Sequence, residues 1–200
     1  MNFLKYSSGL THDSFWFLES KKIAELILED YSKEEIIEMA LEDNLFQVET
    51  ENRTKRIVSV VYKRLTFFSE EILEYFLRVD VNSAKVFVLI SILAQDKLFF
   101  EFMYEVFREH IILGNFTLKN RDLDIFFDNK ALQSDIVSEW SENNVDRLKR
   151  GYRIILNEAG VLDTSKEINE ILVPFIDLKF QDILKENNLG PYVYSITGEQ

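Results

Sequence analysis

The chain has 200 residues, a net charge of −12, a hydrophobic fraction of 46% and no cysteine. This length and hydrophobicity are enough for a buried core, which excludes an intrinsically disordered protein. The absence of cysteine excludes disulfide bonds, zinc–thiolate sites, iron–sulfur clusters and thiol nucleophiles, and it favours a cytoplasmic protein.

The first part of the chain is predicted to be a series of α-helices, because there are only six glycines and two prolines in the sequence. Ser32 and Glu35 have the spacing of a capping box, and Gly114 is typical of the residue that follows a helix. The predicted helices are residues 12–29 with Thr11 or Asp13 as cap, a segment from Ser32, residues 51–67, a segment from Ser69, a segment from Asn82 or Ser83, and residues 97–113.

The most apolar segment, Val86–Gln95, lies between Lys85 and Asp96. A membrane-spanning helix needs about 20 apolar residues, so this segment predicts a buried core helix. The N-terminal residues lack a basic region followed by a long apolar run. We therefore expect no signal peptide and no membrane association.

The last third of the chain has a different pattern. The predictions are a loop at 115–121, a short helix at 130–140, a polar break at Ser141–Asn144, a helix Val145–Ala159 that stops at Gly160, a small strand pair within 161–174 around Ile171–Val173, and a helix from Pro174 to about Asn188. Helix, short turn, helix and β-like segment is the order of a winged helix-turn-helix. The predicted fold is mainly α, with a helical body at 1–120 and a helix-turn-helix or winged-helix-like part at 121–200, or one continuous domain.

Positive charge is concentrated in two windows of this acidic chain. Residues 52–66 and 147–153 contain no acid, and they hold five and four of the 23 basic residues. The members are Arg53, Lys55, Arg56, Lys63 and Arg64 in the first window, and Arg147, Lys149, Arg150 and Arg153 in the second. Because Lys and Arg are the main side chains that contact phosphate groups, both windows predict a surface for double-stranded DNA.

Helical geometry, at about 100° per residue, predicts which side chains point outward. In the first window the predicted outward cations are Arg53, Arg56, Lys63 and Arg64, opposite an apolar face that contains Ile57, Val61 and Leu65. In the second window they are Arg147, Arg150 and Arg153, with Lys149 at the margin, and Asn143 and Asn144 near the start of the helix as further hydrogen-bonding groups. The alternative interpretation is that both are ordinary solvated faces.

The sequence contains no motif that indicates catalysis or cofactor binding. It has no Gly-x-Gly-x-x-Gly, no Walker-type loop, no His-Glu-x-x-His and no nucleophile elbow. His12 and His110 are far apart in the sequence and are predicted to be structural. We therefore predict a protein that is not an enzyme, with no cofactor and no metal.

Segments distributed along the chain carry a family resemblance. They are Tyr6–Leu10 with Trp16–Ser20, Asn52–Arg56, Ser83–Lys85, Leu123–Phe127 and Asn143–Gly160. With these segments the chain resembles the BrxA family, a small accessory component of BREX bacteriophage-defence systems. The resemblance implies an all-helical body similar to the NusB-type fold, a helix-turn-helix element and binding to double-stranded DNA. It implies no catalytic residues, and the family's label as an inner-membrane protein disagrees with the short apolar run.

Two functional hypotheses remain open from the sequence. The first is a DNA-binding accessory protein of phage defence, with largely sequence-independent and salt-sensitive binding. The second is an adaptor that docks other BREX proteins through aromatic or acidic surfaces, such as the acidic segment Glu19–Glu51. An enzyme of another kind has no sequence feature in its favour, and the sequence does not predict the oligomeric state.

Overall fold

Short helices joined by tight turns make up the first half of the computed structural model, which describes residues 5–165 and 169–199. They are α1 (Phe17–Leu28), α2 (Lys33–Glu42), α3 (Glu51–Leu65), α4 (Glu70–Arg78), α5 (Val81–Leu93), α6 (Lys97–Phe102) and α7 (Arg108–Ile112). A π-helical turn, Met103–Phe107, joins α6 to α7. The predicted helix at 97–113 is therefore confirmed, with a change of helix type in its middle.

The second half adds further helices and a small sheet. The helices are α8 (Asn120–Gln133), α9 (Asp135–Ser138), α10 (Glu142–Glu158), α11 (Leu178–Glu186) and α12 (Gly190–Thr197). The sheet has three antiparallel strands, β1 (Thr117–Leu118), β2 (Leu162–Asp163) and β3 (Asn169–Ile171), in the order β1-β3-β2. The predicted mainly α fold with a small β element is confirmed. The part of the predicted strand pair at 166–168 lies outside the described residues.

Helix α5 is the centre of the hydrophobic core. The side chains from Val86 to Leu93 are at most 1% exposed. A helix that is apolar on all sides is stable only when other elements cover every side, and α1, α3, α4, α6, α10 and α12 pack against α5. In the described part of the chain, no helix is both long and apolar enough to cross a membrane.

One cluster of buried apolar side chains contains residues of α5 and of α10. It therefore draws on both predicted parts of the chain, 1–120 and 121–200. The division into two parts stays a prediction.

Side-chain caps set where several helices begin. The predicted capping box of α2 is confirmed, since Ser32 N–H donates to Glu35 Oε2 at 2.8 Å and Glu35 N–H donates to Ser32 Oγ. Asp80, rather than Asn82 or Ser83, caps α5. Asp177, rather than Pro174, begins the next helix, because its carboxylate accepts the Phe180 N–H at 2.9 Å.

Other predicted boundaries were wrong. The first helix begins at Phe17 instead of residue 12, because Trp16 has a left-handed backbone (φ 52°). The predicted loop 115–121 contains β1, and α8 begins at Asn120 instead of residue 130. Its start is fixed by Asp122, whose carboxylate accepts the Lys119 N–H at 2.7 Å.

Candidate nucleic-acid interface

Helix α10 carries the second basic window. The polar segment Ser141–Asn144 begins this helix instead of interrupting the chain, since the Asn144 N–H donates to Ser141 Oγ at 3.3 Å. Gly160, with φ 76°, follows its C-terminal end. The buried side of α10 consists of Leu148, Tyr152, Ile155 and Leu156. The opposite side of the helix is therefore free to face a ligand.

A continuous exposed stripe runs along that opposite side of α10. Its members follow the spacing of one helical face and are Asn143, Arg147, Arg150, Ile154 and Asn157. Neither Arg147 nor Arg150 forms an ion pair within the described residues. Ile154 is 57% exposed and stands between the cations and Asn157. The stripe combines guanidinium, amide and apolar groups, which are the groups that contact phosphates and base edges in DNA complexes.

The other two predicted cations of α10 face α8. Lys149 Nζ lies 2.7 Å from Asp124 Oδ1 and 3.7 Å from Asp146 Oδ1. Arg153 donates from Nη2 to Asn120 Oδ1 at 2.7 Å, and its Nε is buried without a partner among the described residues. Burial lowers the pKa of the Arg153 guanidinium, while Asp124 and Asp146 act in the opposite direction. Lys149 and Arg153 thus make contacts within the protein, so their charges are less available to a ligand than those of Arg147 and Arg150.

The start of α8, with its N-cap residue, adds two cations that the sequence did not reveal. Lys119 and Arg121 are exposed and flank Asn120, the partner of Arg153. A surface concavity of about 310 Å³ lies between α8 and α10, and Asn120, Arg150 and Arg153 contribute to its lining. The local signal was Lys-Asn-Arg before Asp122, but it became informative only when the structure placed α8 beside α10.

The exposed cations of α3 differ in whether a carboxylate of the protein pairs with them. Arg53 and Lys63 are exposed and form no ion pair within the described residues. Lys55 Nζ lies 3.2 Å from Glu51 Oε2. Arg56 donates to Asp13 Oδ1 from both Nε and Nη2, at 3.0 and 2.8 Å. Two of these four side chains are therefore held by carboxylates.

The prediction that Arg64 points outward was wrong. Arg64 is 3% exposed, and it donates from Nη1 to the Ser14 carbonyl oxygen at 3.1 Å. Its guanidinium carbon lies 5.5 Å from the centre of the Trp16 ring. Residue 64 follows Ile57 by two helical turns and so shares its buried face. Burial lowers the pKa of Arg64 to about 10 and raises that of Asp96, which lies in the same interior, to about 6.

The N-terminal segment separates the two basic windows. Asp13 binds Arg56 on α3, whereas the 3₁₀ turn Gly9–Thr11 packs on α10. At that contact a Cβ on Gly151 would lie 3.2 Å from the Leu10 carbonyl oxygen, which explains the glycine. The structure thus groups Lys149, Arg150 and Arg153 with Asn120, and it leaves the α3 cations on the other side of this segment.

Two comparisons with known proteins give the same family, and a third gives the fold. A family model described as BrxA matches residues 4–188. A BREX protein BrxA from Bacillus cereus (strain H3081.97) is 37% identical over 194 residues, which cover 97% of this chain and 97% of that protein. The crystal structure of an uncharacterized protein from Magnetospirillum magneticum has a TM-score of 0.82 at 21% identity, covering 98% of this chain and 100% of that chain. At this identity the structural similarity shows the fold alone.

Proposed function

The chain belongs to the BrxA family, and we propose that it is a non-catalytic accessory protein of a BREX bacteriophage-defence system that binds double-stranded DNA through α10. The observation that carries this proposal is the exposed stripe of α10, in which neither Arg147 nor Arg150 has an ion pair with any residue of 5–165 or 169–199. An unpaired surface guanidinium needs no internal salt bridge to be broken before it contacts a phosphate.

The topology around α10 supports the same proposal. The order α7, β1, α8, α10, β2, β3 with the strand order β1-β3-β2 is typical of winged-helix domains, apart from the short α9. In such domains the helix before the hairpin enters the major groove. Here that helix is α10, which carries the stripe.

The proposed contacts fall into three groups. Arg147, Arg150, Lys119 and Arg121 bind phosphates directly, and Asn143 adds a hydrogen bond near the start of α10. Asn144, Lys149 and Arg153 lie at the edge of this surface, as secondary contacts or as positioning residues. We propose the α3 cations Arg53, Lys55, Arg56 and Lys63 as a second, weaker phosphate-binding patch, and we leave out Arg64 because it is buried.

Acidic residues near the interface set the expected strength of binding. Asp124 and Asp146 neutralise Lys149, and the chain as a whole has a net charge of −12. Since the Debye length is about 8 Å in physiological salt, distant acids weaken but do not prevent local phosphate contacts. We therefore expect moderate affinity, little sequence preference and strong salt dependence.

Charge reversal on α10 tests this proposal. Binding is measured by fluorescence anisotropy with a labelled duplex of about 30 base pairs, roughly three helical turns. The Arg147→Glu/Arg150→Glu variant should bind this duplex at least about tenfold more weakly than wild type does. Lys22→Glu/Arg78→Glu is the matched control, because it makes the same charge change at exposed positions on α1 and α4. Equal affinity of the two double variants would remove α10 from the interface.

A further inference from the structure

A groove lies between the π turn and α7 on one side and α8 on the other, and the proposed DNA surface does not include it. It has a volume of about 340 Å³. Its floor contains Val106 and Phe126, and its apolar edges are Leu113, which is 72% exposed, and Ile125, which is 47% exposed. Exposed side chains of this size in one concave site are typical of an interaction surface.

The local backbone shapes this groove. Glu105 and Val106 belong to the π turn Met103–Phe107, and π turns inside α-helices are frequent at functional sites. At the other end, Gly114 ends α7 in a left-handed conformation (φ 68°), and Leu113 stands in solvent just before it. His110 is fixed at the side of the groove by a contact of 3.1 Å between Nδ1 and the Asn115 carbonyl oxygen.

The rim of the groove is acidic. Glu105, Glu109 and Asp122 line it, and no Lys or Arg is among the described residues that line it. His110 also lines the groove, with Nε2 3.4 Å from Asp122 Oδ2. Lys130 lies nearby but is buried, with Nζ 2.6 Å from Glu101 Oε2 and 2.7 Å from Glu105 Oε1. Glu109 is exposed without an ion pair among the described residues. An apolar floor with this rim is complementary to an apolar side chain flanked by cations.

We propose that this groove docks a basic amphipathic segment of another protein. An apolar side chain of that segment enters between Leu113 and Ile125, and its lysine or arginine residues face Glu109 and Asp122. A second copy of this chain is the weaker occupant, because two molecules with a net charge of −12 each repel one another.

Helix α8 separates this groove from the proposed DNA surface. Asn120 and Asp124 of α8 contact α10, whereas Asp122, Ile125 and Asn129 line the groove. The two surfaces therefore use different sides of the same helix, so that DNA and the basic segment bind together. The groove does not depend on the DNA-binding proposal.

A designed peptide tests the groove in the full-length protein. The probe is a labelled helical peptide of about 15 residues with leucines at three- and four-residue spacing and lysines elsewhere. Saturable binding is expected by anisotropy, and Ile125→Asp should weaken it at least about tenfold. Glu109→Lys should weaken it as well, while Glu186→Lys, the same change at an exposed position on α11, should not.

The Ile125→Asp variant separates docking from general attraction between a basic peptide and an acidic protein. It adds negative charge, so non-specific attraction would become stronger, whereas docking in the groove becomes weaker. A lysine peptide without leucines should bind at least about tenfold more weakly than the probe. The proposal is wrong if wild type does not bind the probe, if Ile125→Asp binds it equally well, or if Ile125→Asp instead dissociates a dimer of this chain.

Discussion

The guanidinium of Arg153 on α10 donates a hydrogen bond to the side-chain oxygen of Asn120 at 2.7 Å, across 33 positions of sequence. This bond joins α10 to the start of α8, where Lys119, the N-cap residue, and Arg121 are exposed. Because its Nε is also buried, we assign Arg153 mainly to positioning, while Arg147 and Arg150 provide the phosphate contacts.

Single substitutions on α10 should separate these two roles. Arg150→Met should reduce the slope of log affinity against log salt by about 1, because one phosphate contact is lost. Arg153→Met should leave that slope nearly unchanged and lower affinity by less than about threefold. Anisotropy at several salt concentrations measures both values. A loss of slope in Arg153→Met as large as in Arg150→Met would make Arg153 a direct contact.

Removing the acids beside Lys149 should strengthen DNA binding. Asp124→Asn/Asp146→Asn frees the Lys149 ammonium, now 2.7 and 3.7 Å from the two carboxylates, and reduces repulsion of phosphate. We expect affinity to rise by about three- to tenfold. The control, Asp182→Asn/Glu186→Asn on α11, changes the net charge equally at exposed positions. An equal rise in the control would attribute the effect to overall charge alone.

Replacing Arg64 should affect stability instead of DNA binding. Arg64→Ala removes the hydrogen bond to the Ser14 carbonyl oxygen and leaves a cavity under Trp16. The free energy of unfolding should fall by about 2–4 kcal/mol, as measured by urea denaturation. DNA affinity at a temperature where the variant is folded should stay at the wild-type value. A folded variant of normal stability and weakened DNA binding would contradict the buried role of Arg64.

Asp96 should make stability depend on pH. Burial raises its pKa from 3.8 to about 6, so the folded protein holds this proton more tightly than the unfolded chain does. Ionisation of Asp96 therefore lowers the free energy of unfolding as pH rises through this interval. Asp96→Asn keeps an oxygen to accept the Phe99 N–H, which now donates to Asp96 Oδ1 at 2.8 Å.

The difference between the free energies of unfolding of Asp96→Asn and of wild type should increase by about 2–3 kcal/mol as pH rises from about 4 to about 7. Urea denaturation of both proteins at each pH measures this difference, in which other titrating groups cancel. A difference that is constant with pH would show that Asp96 has the same pKa in the folded and unfolded states.

Local patterns in the sequence were sufficient for most of the fold. The scarcity of glycine and proline predicted helices, and the apolar run around Val86–Gln95 predicted the central helix. Some boundaries failed because another local cap begins the helix, and two other failures occurred where a long-range contact decides the local structure. Trp16 takes a left-handed backbone that no local pattern indicates, and β1 forms in a predicted loop because it pairs with β3, a strand far along the chain.

The candidate site was only partly predictable from the sequence. Helix periodicity was sufficient to find the exposed Arg147 and Arg150. The outward prediction for Arg64 failed because residues seven apart share a helix face, and an Arg in that position is buried with a carbonyl partner. Lys119 and Arg121 became part of the candidate surface only through the contact between Asn120 and Arg153, which sequence spacing does not reveal.

The salt dependence of DNA binding by wild type and by Arg147→Glu/Arg150→Glu tests the central claim most directly. Wild type should bind a duplex with log affinity falling linearly with log salt, and the double variant should lose about two units of that slope together with most of its affinity. Lys22→Glu/Arg78→Glu should retain the wild-type slope. Absence of wild-type binding at low salt, or identical slopes for the three proteins, would contradict DNA binding through α10.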